Sequence, residues 1–110
     1  MKKAYRVRKN EEFSSIIKKR HSKASSAFVI YANYKAQKNA RVGISVSKKL
    51  GGAVERNKIK RQLRMMLQEL IDFEECNFDY IVIVRNAYLN NSYAENKKCL
   101  EKSIKNCKIK

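Results

Sequence analysis

The chain is poor in the side chains that bind metals. It has one histidine, His21, and three cysteines, Cys76, Cys99 and Cys107, which show no CxxC spacing. Zinc sites are built from closely spaced cysteine and histidine ligands, so we expect no metal site in the protein itself. The sequence predicts free thiols instead, as in a reducing cytosol.

Long apolar runs are also missing. The first residues, MKKAYRVRKNEEF, carry cations but lack the apolar segment of a secretion signal. No apolar run approaches the roughly 20 residues of a transmembrane helix. We therefore expect a cytoplasmic location.

The sequence lacks the catalytic motifs of common hydrolases. GxSxG and HExxH are absent, and Gly51-Gly52 is not followed by the GK[ST] of a phosphate-binding loop. His21 lies among Lys19, Arg20 and Lys23, a setting typical of a solvated loop histidine. We expect no catalytic residue in this chain.

Acidic residues are scarce beside basic ones. The 110 residues include 10 Asp and Glu against 26 Lys and Arg, for a net charge of +16. The hydrophobic content of 44% is too high for a disordered basic tail, so residues 1–110 are predicted to form one domain. A folded chain this basic most often binds nucleic acid, because each neutralised phosphate releases counterions. Five acids and no base lie between Met65 and Tyr80, so that end should face away from the anion.

The hydrophobic pattern predicts an α+β domain with the order α-β-β-α-β-α. Asn10 is predicted to cap a first helix that fades near Arg20. A long second helix is predicted over 53–70, after Gly51-Gly52. Ser92 and Glu95 are predicted to form the capping box of the last helix.

Three strands are predicted between these helices. Residues 26–34 and 41–47 should pair as a hairpin, and 21–26 should be a loop before them. Residues 80–84 are continuously apolar and should be covered on both faces. A strand, a helix and a buried strand in succession predict a crossover between parallel strands.

The helix predicted at 53–70 has one apolar face and one basic face. Its apolar stripe is Ile59, Leu63, Met66, Leu67 and Leu70. On the other side cations recur every four residues, although like charges at that spacing repel by a few tenths of a kcal/mol per pair. A polyanion lying along the helix is the simplest reason to keep them. The candidate nucleic-acid contacts are Arg41, Lys48, Lys49, Arg56, Asn57, Lys60, Arg61 and Arg64.

The segment 41–64, RVGISVSKKLGGAVERNKIKRQLR, resembles the signature of the bacterial ribonuclease P protein subunit family. The segments NEEF, FVIY, DYIVIVR and SYAENKKCL also resemble family segments in the same order, so the resemblance covers essentially the whole chain. The residues that match the core of the signature are Lys49, Gly52, Ala53, Val54, Arg56, Asn57, Lys60 and Arg61.

The resemblance implies a fold and a function. The fold would be a small two-layer sandwich similar to the second domain of ribosomal protein S5, with a left-handed βαβ crossover. The chain would be the protein subunit of an endoribonuclease that removes the 5′ leader of precursor tRNA. Catalysis would belong to the RNA subunit and its Mg²⁺ ions. The implied partners are ribonuclease P RNA, in a 1:1 complex, and precursor tRNA.

The resemblance also implies a cleft for the single-stranded leader, involving Phe13, Ile17, Val29 and Tyr31. The family often has an aromatic residue where this chain has Ile17, so apolar contact would replace stacking there. Judged from the residues alone, Phe13 and Tyr31 fit either base stacking or the core. Asn57 fits either a phosphate contact or a local structural role.

Three other functions fit parts of the sequence. A ribosomal-type RNA-binding protein would share the charge without selecting tRNA that carries a leader. A helix-turn-helix DNA-binding protein is disfavoured because strands flank the basic helix and its exposed face lacks the mix of Gln, Ser and Thr that reads base edges. A membrane-surface helix is disfavoured because 53–70 contains neither Trp nor Phe.

Overall fold

In the computed structural model, residues 2–19 and 21–107 are described. Three α-helices and three strands follow one another in the predicted order, and one additional short strand precedes those three. Three 3₁₀ turns lie at Lys3–Tyr5, Lys48–Leu50 and Asn86–Asn90. The main elements are α1 (Asn10–Lys18), β1 (Ser22–Ala24), β2 (Phe28–Tyr34), β3 (Val42–Ser45), α2 (Ala53–Leu70), β4 (Phe78–Val84) and α3 (Tyr93–Asn106).

The four strands form one sheet in the order β1-β2-β4-β3. β4 pairs antiparallel with β2 and parallel with β3. The predicted hairpin between β2 and β3 is therefore wrong, because β4 lies between them. The most apolar strand takes the centre, where both of its faces and both of its edges are covered. The parallel crossover from β3 through α2 to β4 is confirmed, and its left-handed sense stays a prediction.

One face of the sheet carries the larger core. The predicted apolar stripe of α2 lies against it, with Ile59, Leu63, Met66 and Leu67 buried and Leu70 half-buried. From α3, Leu100 and Ile104 join the same core. The α2 bounds coincide with the predicted 53–70, because the stripe and the glycine pair mark both its face and its start.

The other face of the sheet carries α1. Tyr80, Val82 and Val84 of β4 belong to the larger core, whereas Ile81 and Ile83 pack with Ile16 of α1. Successive side chains of a strand point to opposite faces, so α1 lies across the sheet from α2 and α3. The fold is the predicted α+β class, with the first helix on the second face of the sheet.

The ends of the helices show one wrong prediction and one confirmed. Asn10 does not cap α1: it is the first helical residue, and the extended Lys9 holds the cap position without a side-chain bond. Arg20, near which this helix was predicted to fade, lies outside the described residues. The capping box of α3 is confirmed, because Ser92 and Glu95 bond reciprocally to each other's backbone N–H.

The strand β1 was predicted as a loop. Its three side chains are all exposed, so Ser22–Ala24 has no alternation that a sequence pattern could reveal. It forms by pairing with the edge of β2, with Ser22 opposite Tyr31. Among the described residues, none of the helices combines the length and the apolar character needed to cross a membrane.

Candidate nucleic-acid interface

The cations of α2 form a surface line that we call the basic ridge: Arg56, Lys60, Arg61 and Arg64. Arg61 is exposed, and the other three are half-buried at intervals of one helical turn. Across residues 2–19 and 21–107, ion pairs join Arg41, Lys97 and Lys105 to carboxylates, and no ridge side chain takes part in one. The Nε of Arg56 is buried without a hydrogen-bond partner in the described part of the chain. The ridge is therefore a row of charges without a counterion from the described residues.

The ridge borders a groove that the sequence analysis did not predict. Residues 6–8 run along the outer edge of β3, where the N–H of Val7 donates to the carbonyl of Val42 at 3.0 Å. This segment brings two more arginines close to the ridge. The groove, which we call the basic groove, is lined by Arg6, Val7, Arg8, Val42, Ile44, Lys60 and Arg64.

Arg6 and Arg8 were therefore missing from the predicted contacts. The available signal was the density of cations in residues 1–23, which contain nine. That density could not show which of them lie near α2, because the pairing of residues 6–8 with β3 joins positions more than 30 residues apart. The groove offers guanidinium and ammonium groups beside apolar side chains, a combination suited to a sugar-phosphate backbone.

The entry to α2 adds two exposed lysines. Lys48 and Lys49 lie on the 3₁₀ turn before the helix, where the Ser47 Oγ accepts the N–H of Lys49 at 3.2 Å. Gly51 has φ +137°, a conformation that favours glycine, and a Cβ there would lie 2.9 Å from the Cβ of Glu55. The glycine permits the tight turn that places both lysines next to the positive end of the helix dipole.

Arg41 is buried at the border of this surface, in the lining of a pocket that it shares with Arg6 and Arg8. It is 6% exposed, and its guanidinium pairs with Glu12 through Nη1 and with Asp79 through Nη2, the latter at 3.4 Å. Its backbone N–H also donates to Asp79 Oδ1 at 2.8 Å. A guanidinium held by two carboxylates inside the fold has no free fork for a phosphate. Contact between Arg41 and RNA therefore stays a prediction, and the structure shows a different, internal set of partners for its guanidinium.

The predicted cleft residues lie on the face of the sheet that carries α1. Phe13, Ile17 and Tyr31 are half-buried and pack around a smaller core of Val7, Ile16 and Ile81. Val29 is two residues before Tyr31 on the same face and lies opposite Ile83. We call Phe13, Ile17, Val29 and Tyr31 the apolar cleft; all four are partly accessible, so they are neither plain core nor free surface.

The apolar cleft and the basic groove meet at the edge of β3. Val7 packs with the residues beneath the cleft and also lines the groove. Asn57 is exposed on α2 beside the ridge. Of the five acids predicted to face away from the anion, Asp72, Glu74 and Glu75 are exposed at the far end of α2, whereas Asp79 is buried beside Arg41. The basic charges of the groove and the half-exposed rings of the cleft thus have Val7 as a common neighbour.

The chain is similar in sequence to proteins of one family. The sequence profile of the family described as Ribonuclease P matches residues 1–108. The ribonuclease P protein component of Mesoplasma florum is 48% identical over 99 residues, which are 89% of this chain and 90% of that protein.

Two solved structures of the Staphylococcus aureus RNase P protein are similar in fold. The first, at 2.0 Å, has a TM-score of 0.85 and 40% identity, and the match covers 97% of this chain and 98% of that one. The second is a mutant described as defective in mRNA degradation activity. Its TM-score is 0.84 at 42% identity, with 94% of this chain and 87% of that one covered.

Proposed function

Because the chain belongs to the ribonuclease P protein family, we propose that the basic ridge binds the catalytic RNA and that the apolar cleft receives the 5′ leader of precursor tRNA. Members of this family are the protein subunit of an endoribonuclease, so ribonuclease P RNA is the partner of this chain and the catalytic RNA lies outside it. In this proposal each surface has its own ligand: the catalytic RNA for the basic ridge and the 5′ leader for the apolar cleft.

The observation that carries the proposal is the set of uncompensated cations on α2. Elsewhere in the described residues Lys97 and Lys105 pair with Glu69 and Glu101, and Arg41 pairs inside the fold. The ridge keeps four cations without such partners, and Arg6 and Arg8 lie across the groove. The repulsion within this group would be relieved by phosphates, and the freed counterions would favour the complex.

The apolar cleft suits single-stranded RNA. Its half-buried rings, Phe13 and Tyr31, are held in place by Ile81 and Ile16 beneath them while one side stays accessible. Unpaired bases stack on such rings with about 1–3 kcal/mol each. Leader bases would lie here while phosphates meet the basic groove at the β3 edge.

The Mg²⁺ ions of the reaction would be held by the RNA. Among the described residues no three His, Cys, Asp or Glu side chains are placed so that they could hold a metal ion. Two carboxylates on the α1 side of the sheet, Glu12 and Asp79, are bound to Arg41. We further propose a 1:1 complex with the RNA, a cytoplasmic location and no cleavage of precursor tRNA by this chain alone.

The ridge is tested by reconstitution with a bacterial ribonuclease P RNA at low magnesium. Arg56→Ala and Arg61→Ala should weaken RNA binding and reduce the slope of log affinity against log salt by about 0.7–0.9 per lost phosphate contact. Lys102→Ala, which removes an exposed cation from α3, is the matched control for net charge. An unchanged slope in both ridge variants, with normal folding, would assign the ridge a structural role.

The cleft is tested by the preference of the holoenzyme for precursor over mature tRNA. Phe13→Ala and Tyr31→Ala should each reduce this preference by roughly tenfold while affinity for the RNA subunit stays near the wild-type value. Tyr34→Ala is the control, because Tyr34 is an exposed aromatic at the end of the same strand.

The main alternative is a non-catalytic RNA-binding protein of ribosomal type. It would show the same loss of affinity and salt slope in the ridge variants. It would show no preference for tRNA that carries a leader, and the cleft variants would change only stability. The precursor-to-mature ratio of the wild-type holoenzyme therefore decides between the two functions.

A further inference from the structure

We infer that Arg41 is a positioning residue which, together with Gly43, seats α1 on the sheet and so sets the shape of the apolar cleft. The inference rests on the proposed leader-binding function of that cleft. It gives Arg41 a role inside the fold, where its guanidinium is ion-paired and 6% exposed.

The first half of the seat is an ion network. Arg41 joins Glu12 on α1 to Asp79, which is 2% exposed and belongs to the central strand β4. Asp79 also accepts the backbone N–H groups of Arg41, at 2.8 Å, and of Ala36, at 3.4 Å. The carboxylate that anchors the network is thus fixed by the backbone, and Arg41 transmits that position to α1.

The second half of the seat is the close contact between Phe13 and Gly43, which has no side chain. Gly43 lies two residues after Arg41, on the same side of β3, and a Cβ at this position would lie 2.5 Å from Cζ of Phe13. The same Cβ would lie 2.8 Å from Cδ1 of Ile81. The Phe13 ring therefore rests directly against the backbone of β3.

The two halves act on neighbouring residues of α1. Arg41 holds Glu12, and Gly43 receives Phe13, which is the next residue and a wall of the cleft. α1 has only nine residues and one fully buried side chain, Ile16. A helix this short is marginal on its own, so its position depends on these few contacts with the sheet.

Glu12 could act through its charge alone or by holding α1 in place, and the two roles predict opposite results when its charge is removed. If Glu12 acted only through the protein's field, Glu12→Gln would raise affinity for any RNA, because it removes a negative charge from a chain of net charge +16. If Glu12 seats α1, the same variant should bind leader-carrying tRNA less selectively. Glu11→Gln makes the same change of charge one residue earlier, at an exposed position.

The experiment measures affinity for precursor and for mature tRNA in the reconstituted holoenzyme, together with affinity for the RNA subunit and the circular dichroism of each variant. We expect Glu12→Gln to lower the precursor-to-mature ratio roughly fivefold, with RNA-subunit affinity equal to or above wild type. Arg41→Lys, which keeps the charge but has a single ammonium for two carboxylates, should show a smaller loss. Glu11→Gln should keep the ratio.

Three results are decisive. A folded Glu12→Gln variant with the wild-type ratio would overturn the inference, as would an equal loss in Glu11→Gln. A wild-type holoenzyme without any preference for precursor tRNA would instead overturn the proposed function of the cleft, so the two failures are distinguishable.

Discussion

Replacing Arg41 with alanine should destabilise the fold much more than it weakens intrinsic RNA binding. The change leaves Asp79, which is 2% exposed, as a buried carboxylate without its cation. Breaking a buried ion pair from one side costs about 3–5 kcal/mol. Asp79 keeps two backbone N–H donors, and the side chain of Glu12 is 32% exposed and can be solvated, so the low end of that range applies.

A loss of about 3 kcal/mol corresponds to a fall in Tm of roughly 10–15 °C for a domain of this size. The comparison variant is Arg61→Ala, because Arg61 is exposed and makes no ion pair in the described part of the chain. Its stability should stay within about 0.5 kcal/mol of wild type. Thermal and urea unfolding measure both variants, and RNA affinity is measured at a temperature where both are folded.

The expected pattern is a stability loss for Arg41→Ala and an affinity loss with a shallower salt slope for Arg61→Ala. If Arg41→Ala unfolded at the wild-type temperature while its salt slope fell by a full phosphate contact, Arg41 would be an RNA ligand after all. In that case the ion network with Glu12 and Asp79 would contribute little to the fold.

Three further predictions concern other contacts. Gly43→Ala should lower the free energy of unfolding by about 1–3 kcal/mol in urea, because the added methyl group would overlap the Phe13 ring and the Ile81 side chain. An unchanged midpoint would show that Phe13 moves away freely. Ser92→Ala should cost about 1 kcal/mol in the same assay by removing the cap of α3, and equal stability would mean that water replaces the cap. Cys107 should be alkylated much more slowly than Cys99, because burial raises the pKa of the Cys107 thiol and leaves it 1% exposed; equal rates followed by mass spectrometry would contradict this.

The helices were predictable because their signals are local. The stripe of α2 repeats every three to four residues, and Gly51-Gly52 interrupts the chain before it. The capping box of α3 lies within four residues, from Ser92 to Glu95. None of these signals needs knowledge of a distant partner. Asn10 shows that a local signal can still be wrong by one residue. Asn10 suits the cap position, but the helix begins at Asn10 itself and the extended Lys9 occupies the cap position.

The order of the strands was not predictable in the same way. The sequences of β2 and β3 suit a hairpin with each other as well as separate pairings with β4, and both arrangements bury the same alternating side chains. The continuous apolar character of β4 indicated burial on two faces but not a central position between those two strands. Non-local pairing also brought Arg6 and Arg8 to the edge of β3, which no local pattern shows.

The basic segment 41–64 contains residues that act inside the fold and cations that lie on the surface, and its composition does not distinguish the two. Before Ser47, the residues that face α1 are Arg41 and Gly43, and both act inside the fold, one by an ion network and one by the absence of a side chain. After Ser47, the cations lie on a turn and on the solvent side of a helix whose opposite side is core. The change follows from geometry: β3 packs against the larger core on one face and against α1 on the other, whereas the surface helix α2 is covered on one side. A family signature that spans both elements therefore combines residues that shape a cleft with residues that hold an RNA, and only the position of each side chain in the fold separates them.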